Sequence, residues 1–150
     1  MLASATIAFL HFAAVFGVFG TLLGEWLLFN RAPTVAEASR LQQLDRLYGL
    51  SALVLLVAGA LRVWRFEKGL DYYLHNPFFH LKLTLFVVVG LLSIYPTVVF
   101  IRWSRDLRGG LAPVVSEAQY TWISRILKVE LVLLVGILAA ASLMAKGVGL

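Results

Sequence analysis

Six ionisable side chains stand inside otherwise apolar runs: His11, Glu25, His80, Lys82, Lys128 and Glu130. Each costs a few kcal/mol at mid-bilayer on insertion scales, so in lipid each is a functional question. Imidazole nitrogens ligate transition metals, and two histidines on different helices at matched depth can hold a metal or a haem iron between them. The bland alternative is a histidine near a helix end that hydrogen-bonds a neighbour or interfacial water. His75 precedes its helix and reads as a solvated loop residue. The chain contains no cysteine. Thiolate zinc sites, iron–sulfur clusters and disulfide scaffolds are therefore excluded, and transition-metal chemistry must run mainly through its three histidines.

A second constellation is ionic. Glu25, Asp45, Arg46, Arg125, Lys128 and Glu130 come from three apolar segments and fall at similar depth on one side of the membrane. Mutual pairing would offset much of their desolvation cost. The same residues could instead form a proton path or a second site. No Gly-x-Ser-x-Gly elbow, phosphate loop or His-Glu-x-x-His pattern is present, so familiar hydrolase and kinase chemistries have no support.

The elements that must position these residues follow from composition. Of the 150 residues, 61% are hydrophobic and 14% charged, against about 45–50% and about 25% in soluble domains. A bilayer core of about 30 Å needs about 20 helical residues, and lipid cannot satisfy the edges of open strands. The expected architecture is all-α: an integral membrane four-helix antiparallel bundle forming one domain over residues 1–150. Its helices are expected over about 5–29, 44–64, 77–103 and 117–145. Asn76-Pro77 offers a cap followed by proline at the first helical position, and Ser116 could cap the fourth helix. Val35, Ala38, Leu41 and Leu44 recur every three residues, which predicts a short amphipathic helix between helices one and two. Tyr95-Pro96-Thr97 should bend the third helix and free a backbone carbonyl. The N-terminal run is longer than a signal h-region and lacks a preceding basic residue, so it reads as retained.

Charge placement orients the bundle. Arg31, Arg40, Arg46, Arg102, Arg105, Arg108, Arg125 and Lys128 fall on one side, and Arg62, Arg65, Lys68, Lys82 and Lys146 on the other. The bias puts loops one and three in the cytoplasm and both termini in the periplasm. The net charge of +5 is thus a topology and headgroup signal, and no compact basic face is left for nucleic acid.

With helices one and three running the same way, His11 and His80 share a leaflet. Arg62, near the end of helix two, and Lys82 reach it too, as possible partners for haem propionates or another anion. His11, Val18 and Glu25 lie along one stripe of helix one, with Ala14 and Thr21 leaving space beside it. Gly17, Gly20 and Gly24 fall on roughly the opposite face and suit close packing against another helix or another copy of the chain.

Phe9-Leu10-His11-Phe12-Ala13-Ala14, Leu44-Asp45-Arg46-Leu47-Tyr48-Gly49 and Phe78-Phe79-His80-Leu81-Lys82-Leu83 resemble an uncharacterised family of small bacterial four-helix integral membrane proteins, a domain of unknown function. More distantly, the layout resembles HemJ-type protoporphyrinogen oxidases and CopD-like membrane proteins. It departs from the HemJ-type pattern where Glu25, not an arginine, occupies the second half of helix one. The resemblance implies His11 and His80 as haem ligands and Lys82 as a polar partner.

The expectation is a bacterial inner-membrane protein binding haem b through His11 and His80, with Arg62 and Lys82 at the propionates. It would transfer electrons or oxidise a membrane substrate, a quinol or a porphyrinogen. The other reading is a non-redox membrane protein: a metal-ion or small-solute permease component, or a structural partner subunit. Expected partners are the lipid bilayer, a quinone or porphyrin, and a second copy of the chain.

Overall fold

The computed structural model describes residues 1–66 and 70–148, and among them all regular structure is helical. The elements are α1 (Leu2–Leu28), α2 (Val35–Leu61), a π-helical turn (Arg62–Phe66), α3 (Leu70–Leu74), α4 (Pro77–Arg102), α5 (Ser104–Arg108) and α6 (Glu117–Ala145). Helices α1, α2, α4 and α6 are each long and apolar enough to cross a membrane. Lys68, one of the charges used for orientation, lies outside the described residues.

The punctuation works as capping chemistry. Thr34 and Ser116 each accept a hydrogen bond from the backbone N–H three residues on, and Glu37 and Gln119 each accept one from the cap backbone in return. Both helices therefore begin with a full capping box. Asn76 accepts from the Phe78 N–H and Pro77 follows it, as its fixed φ favours. The amphipathic segment is helical but not a separate helix. It forms the first turns of α2, because no residue between Leu41 and Tyr48 breaks the i→i−4 ladder. Helix α4 likewise runs unbroken through Pro96, which is buried.

Helix α1 packs chiefly on α2, and α4 on α6. Contacts of α1 with α6 and of α2 with α4 close the ring, leaving α1 and α4 diagonal with no close backbone approach. One end is sealed by aromatic stacking. Phe29 lies parallel to Trp103 and Tyr120, with ring centroids 6.5 and 5.8 Å away, and packs on Phe100. Arg31 reaches across the same end to Glu117 at 3.0 Å and covers the Tyr120 ring. The Gln42 amide donates to the Phe100 carbonyl and to Ser104 Oγ. At the opposite end Tyr72 donates to the Met144 carbonyl and Asn76 to the Val148 carbonyl. Large apolar side chains such as Phe16, Leu27, Leu91 and Val132 point outward, whereas Glu25, Asp45 and Glu130 are buried. The arrangement suits hydrocarbon as the surrounding solvent.

Candidate functional site

His11, Arg62, His80 and Lys82 all lie toward the end of the bundle that carries the termini, on α1, the turn after α2, and α4. His11 lies against α2 at Gly59, where an added Cβ would stand 3.3 Å from His11 Cε1. Glycine there lets the imidazole approach the neighbouring helix closely. Arg62 follows on α2 and places its guanidinium 5.3 Å from the centre of the Phe12 ring. His80 is exposed on α4, and its Nε2 pairs with the Leu74 carbonyl at 2.9 Å. The Lys82 ammonium stands 5.3 Å from the centre of the Phe79 ring. The two histidines thus belong to diagonal helices and engage different neighbours. His75 is exposed and 3.3 Å from Asp71, in keeping with a loop residue.

The glycines of α1 serve the same α1–α2 seam. A Cβ on Gly17 would collide with Ser51, and one on Gly24 would press on Leu44, whereas Gly20 faces open space. The helical phase of α1 sets these glycines on the face away from His11. In the structure the imidazole nonetheless lies at the α1–α2 seam, against Gly59.

The ionic constellation separates by sign. Glu25, Asp45 and Glu130 are 2%, 8% and 0% exposed, whereas Arg46, Arg125 and Lys128 are all exposed. Among the described residues no ion pair joins the two sets. The expectation of mutual pairing is corrected on this point, and helical phase is the reason. The buried stripe of α1 is Ala14, Val18, Leu22, Glu25; that of α2 begins Ala38, Leu41, Asp45, Tyr48; that of α6 begins Ile123, Leu127, Glu130, Leu134. Each acid occupies a position that an apolar residue would fill in a plain bundle. The bases sit one, two or five residues from an acid on the same helix, and those offsets turn them to the outer face.

Three carboxyl groups from α1, α2 and α6 therefore face one another within electrostatic reach inside the bundle. Helix α4 completes the wall with hydroxyls: Thr97 Oγ1 donates to Asp45 Oδ1, and Ser93, whose hydroxyl donates to the Gly90 carbonyl, stands near Tyr48. Pro96 has no N–H to give the Leu92 carbonyl four residues back, which leaves an oxygen without its helical donor beside Ser93 and Thr97. Glu25 Oε1 and both carboxyl oxygens of Glu130 are buried with no hydrogen-bond partner among the described residues. Buried polar atoms are rarely left so. Chemically this is a set of hard oxygen donors, suited to protons or hard cations.

A family model described as Predicted membrane protein (DUF2214) matches residues 3–149. The chain belongs to the DUF2214 family. Neither a curated protein nor a solved structure matches it. Two members of this DUF2214 chain's carboxyl centre, Tyr48 and Ser93, carry no formal charge and escape a search for ionisable residues in apolar runs. Their spacing is the signal that could find them: Asp45 and Tyr48 are three apart and Ser93 and Thr97 four apart, so each pair shares a helix face.

Proposed function

We propose that the chain is a non-redox membrane protein that handles a small cation, alone or as a permease component, with Glu25, Asp45 and Glu130 as its working centre. The observation that carries this reading is Glu130, fully buried with neither carboxyl oxygen hydrogen-bonded among the described residues. An ionisable group kept inside a lipid-embedded bundle at such cost is a functional site by default. Four helices make a small transporter, and a second copy, meeting the open Gly20 face of α1, would widen the pathway. The protein resides in the bacterial inner membrane, with loops one and three cytoplasmic and both termini periplasmic. The test is flux. Vesicles holding the purified protein should take up H⁺, Na⁺, K⁺ or Mg²⁺, read by ion-sensitive dyes, at least tenfold faster than vesicles holding Glu130→Gln. Uptake no faster than in protein-free vesicles overturns the reading.

A second reading has its own observation: both histidines, with Arg62 and Lys82, lie toward one end of the bundle, and Gly59 lets His11 approach α2 closely. Haem b ligated by His11 or His80 there, its propionates on Arg62 and Lys82, would serve electron transfer or the oxidation of a quinol or porphyrinogen. The purified protein would show a Soret band that shifts on dithionite reduction and is lost in His11→Ala and His80→Ala. A colourless, folded preparation from haem-sufficient cells removes it.

A further inference from the structure

The three buried acids raise a question of compensation that the cation-handling reading leaves open. A carboxylate in a low-dielectric interior must be neutralised by a basic side chain, a metal ion or a proton. Basic side chains are the first candidate. Arg46, Arg125 and Lys128 are exposed and form no ion pair with the acids among the described residues. The groups facing the centre are Glu25 from α1, Asp45 and Tyr48 from α2, Glu130 from α6, and the neutral Ser93 and Thr97 from α4. Arg46 acts on Asp45 from the outer face, and among the described residues no basic side chain acts on Glu25 or Glu130. A metal ion is the second candidate. Among the described residues no three histidine, aspartate or glutamate side chains converge as a metal cage. Hard cations of the calcium type take six to eight converging oxygens, which this spread of donors does not supply.

The proton is left. It needs no cage, only an acceptor oxygen, and Glu25 and Glu130 carry buried oxygens without a hydrogen-bond partner among the described residues. Glu25 lies three residues before the end of α1 on the loop-one side, whereas Glu130 lies thirteen residues into α6 from that side, about 15 Å further from its helix end along the helix rise than Glu25 is from its own. A cleft lined by Trp26, Tyr120, Ser124, Leu127 and Lys128 opens on that same face, and Trp26 and Leu127 on its wall are the chain neighbour of Glu25 and the residue one turn before Glu130.

We infer that Glu25, Asp45 and Glu130 form a proton-exchange site loaded from the loop-one face, with Glu25 as the shallow acceptor and Glu130 as the deep one. The inference rests on the cation-handling reading and names its cation. Hydronium gives its proton to a Glu25 carboxylate oxygen and leaves as water. Relayed by water between the two carboxyl groups, the proton then passes from Glu25 to a Glu130 oxygen and Glu25 becomes carboxylate again, so charge and atoms balance with no redox partner. Asp45 is held by the Thr97 hydroxyl and is a positioning residue for the pair.

The test reads the protons directly. Infrared difference spectra of the full-length protein in nanodiscs at neutral pH should show the C=O stretch of protonated carboxyl groups, shifting to lower frequency in D₂O. Glu25→Gln and Glu130→Gln should each remove about a third to a half of that band. Where a glutamine variant fails to fold, Glu130→Asp should displace the band and so report the same group. Spectra with carboxylate bands alone, or a protonated band untouched by every variant, overturn the site. The flux assay separates the two claims. A protonated band without cation uptake keeps the proton site and removes permeation, whereas uptake with carboxylate bands alone does the reverse.

Discussion

Glu130 occupies a position in the α6 stripe where Leu127 and Leu134 show what packing alone would choose. Replacing a buried, uncompensated acid with an apolar side chain of similar volume removes a desolvation cost. Glu130→Leu is therefore expected to melt higher in detergent than the wild type, by about 1–4 kcal/mol of added stability, while its vesicles lose cation uptake. A variant that melts lower would mean that Glu130 is structurally satisfied. Thr97→Val acts in the opposite direction. It keeps the shape and removes the donor to Asp45, leaving a buried carboxyl oxygen unsatisfied. The expected loss is about 1–3 kcal/mol, readable as a lower melting temperature, with Thr97→Ser close to wild type. The chemistry-bearing residues themselves are legible in the sequence, because six of them break apolar runs. Their partners are not. Whether Glu25 meets Arg125 or Glu130 depends on the rotation of each helix about its axis. A single residue of slip turns a side chain by about 100°.

The elements show which local signals are sufficient. Asn76-Pro77, Ser116 and Thr34 start their helices by satisfying N–H groups that no preceding turn can reach. Such signals are confined to four residues and read directly from sequence. Ser116→Ala and Thr34→Ala are each expected to cost about 1 kcal/mol, measured as thermal unfolding by circular dichroism, whereas serine at position 34 should cost little. The amphipathic segment is visible in its spacing but reads as separate from α2, because hydropathy changes at Leu44 while the hydrogen-bond ladder does not. Polarity marks where a helix leaves lipid. It does not mark where the helix begins.

At the scale of the molecule, the helix ends are held by stacked rings, capped carbonyls and the exposed Arg31–Glu117 ion pair. Arg31 and Glu117 are about two-thirds exposed, so their bridge is worth at most about 1 kcal/mol. The ring cluster below them is another matter. Phe100 is fully buried among Phe29 and Trp103, and Phe100→Ala is expected to cost about 3–5 kcal/mol, enough to lower the yield of folded protein on size-exclusion chromatography. The topology is open to a direct test because the native chain offers no thiol. With Ala32→Cys in loop one and His75→Cys in loop two, a membrane-impermeant maleimide added to intact cells should label only the second. Labelling of Ala32→Cys alone would invert the bundle.

Membership of an all-helical membrane class, four spans and the helix starts at Pro77 and Glu117 were determined by the sequence itself. Hydropathy sums along a chain, and capping acts within one turn; neither needs to know what lies across the bundle. The lateral order of the helices, which made α1 and α4 diagonal and gave His11 and His80 different neighbours, was decided only in the folded bundle. So was the division of the ionic residues into buried acids and exposed bases. Those features depend on how all four helices rotate to seat glycines at Ser51 and Leu44 and rings at one end, a joint solution that no single segment encodes.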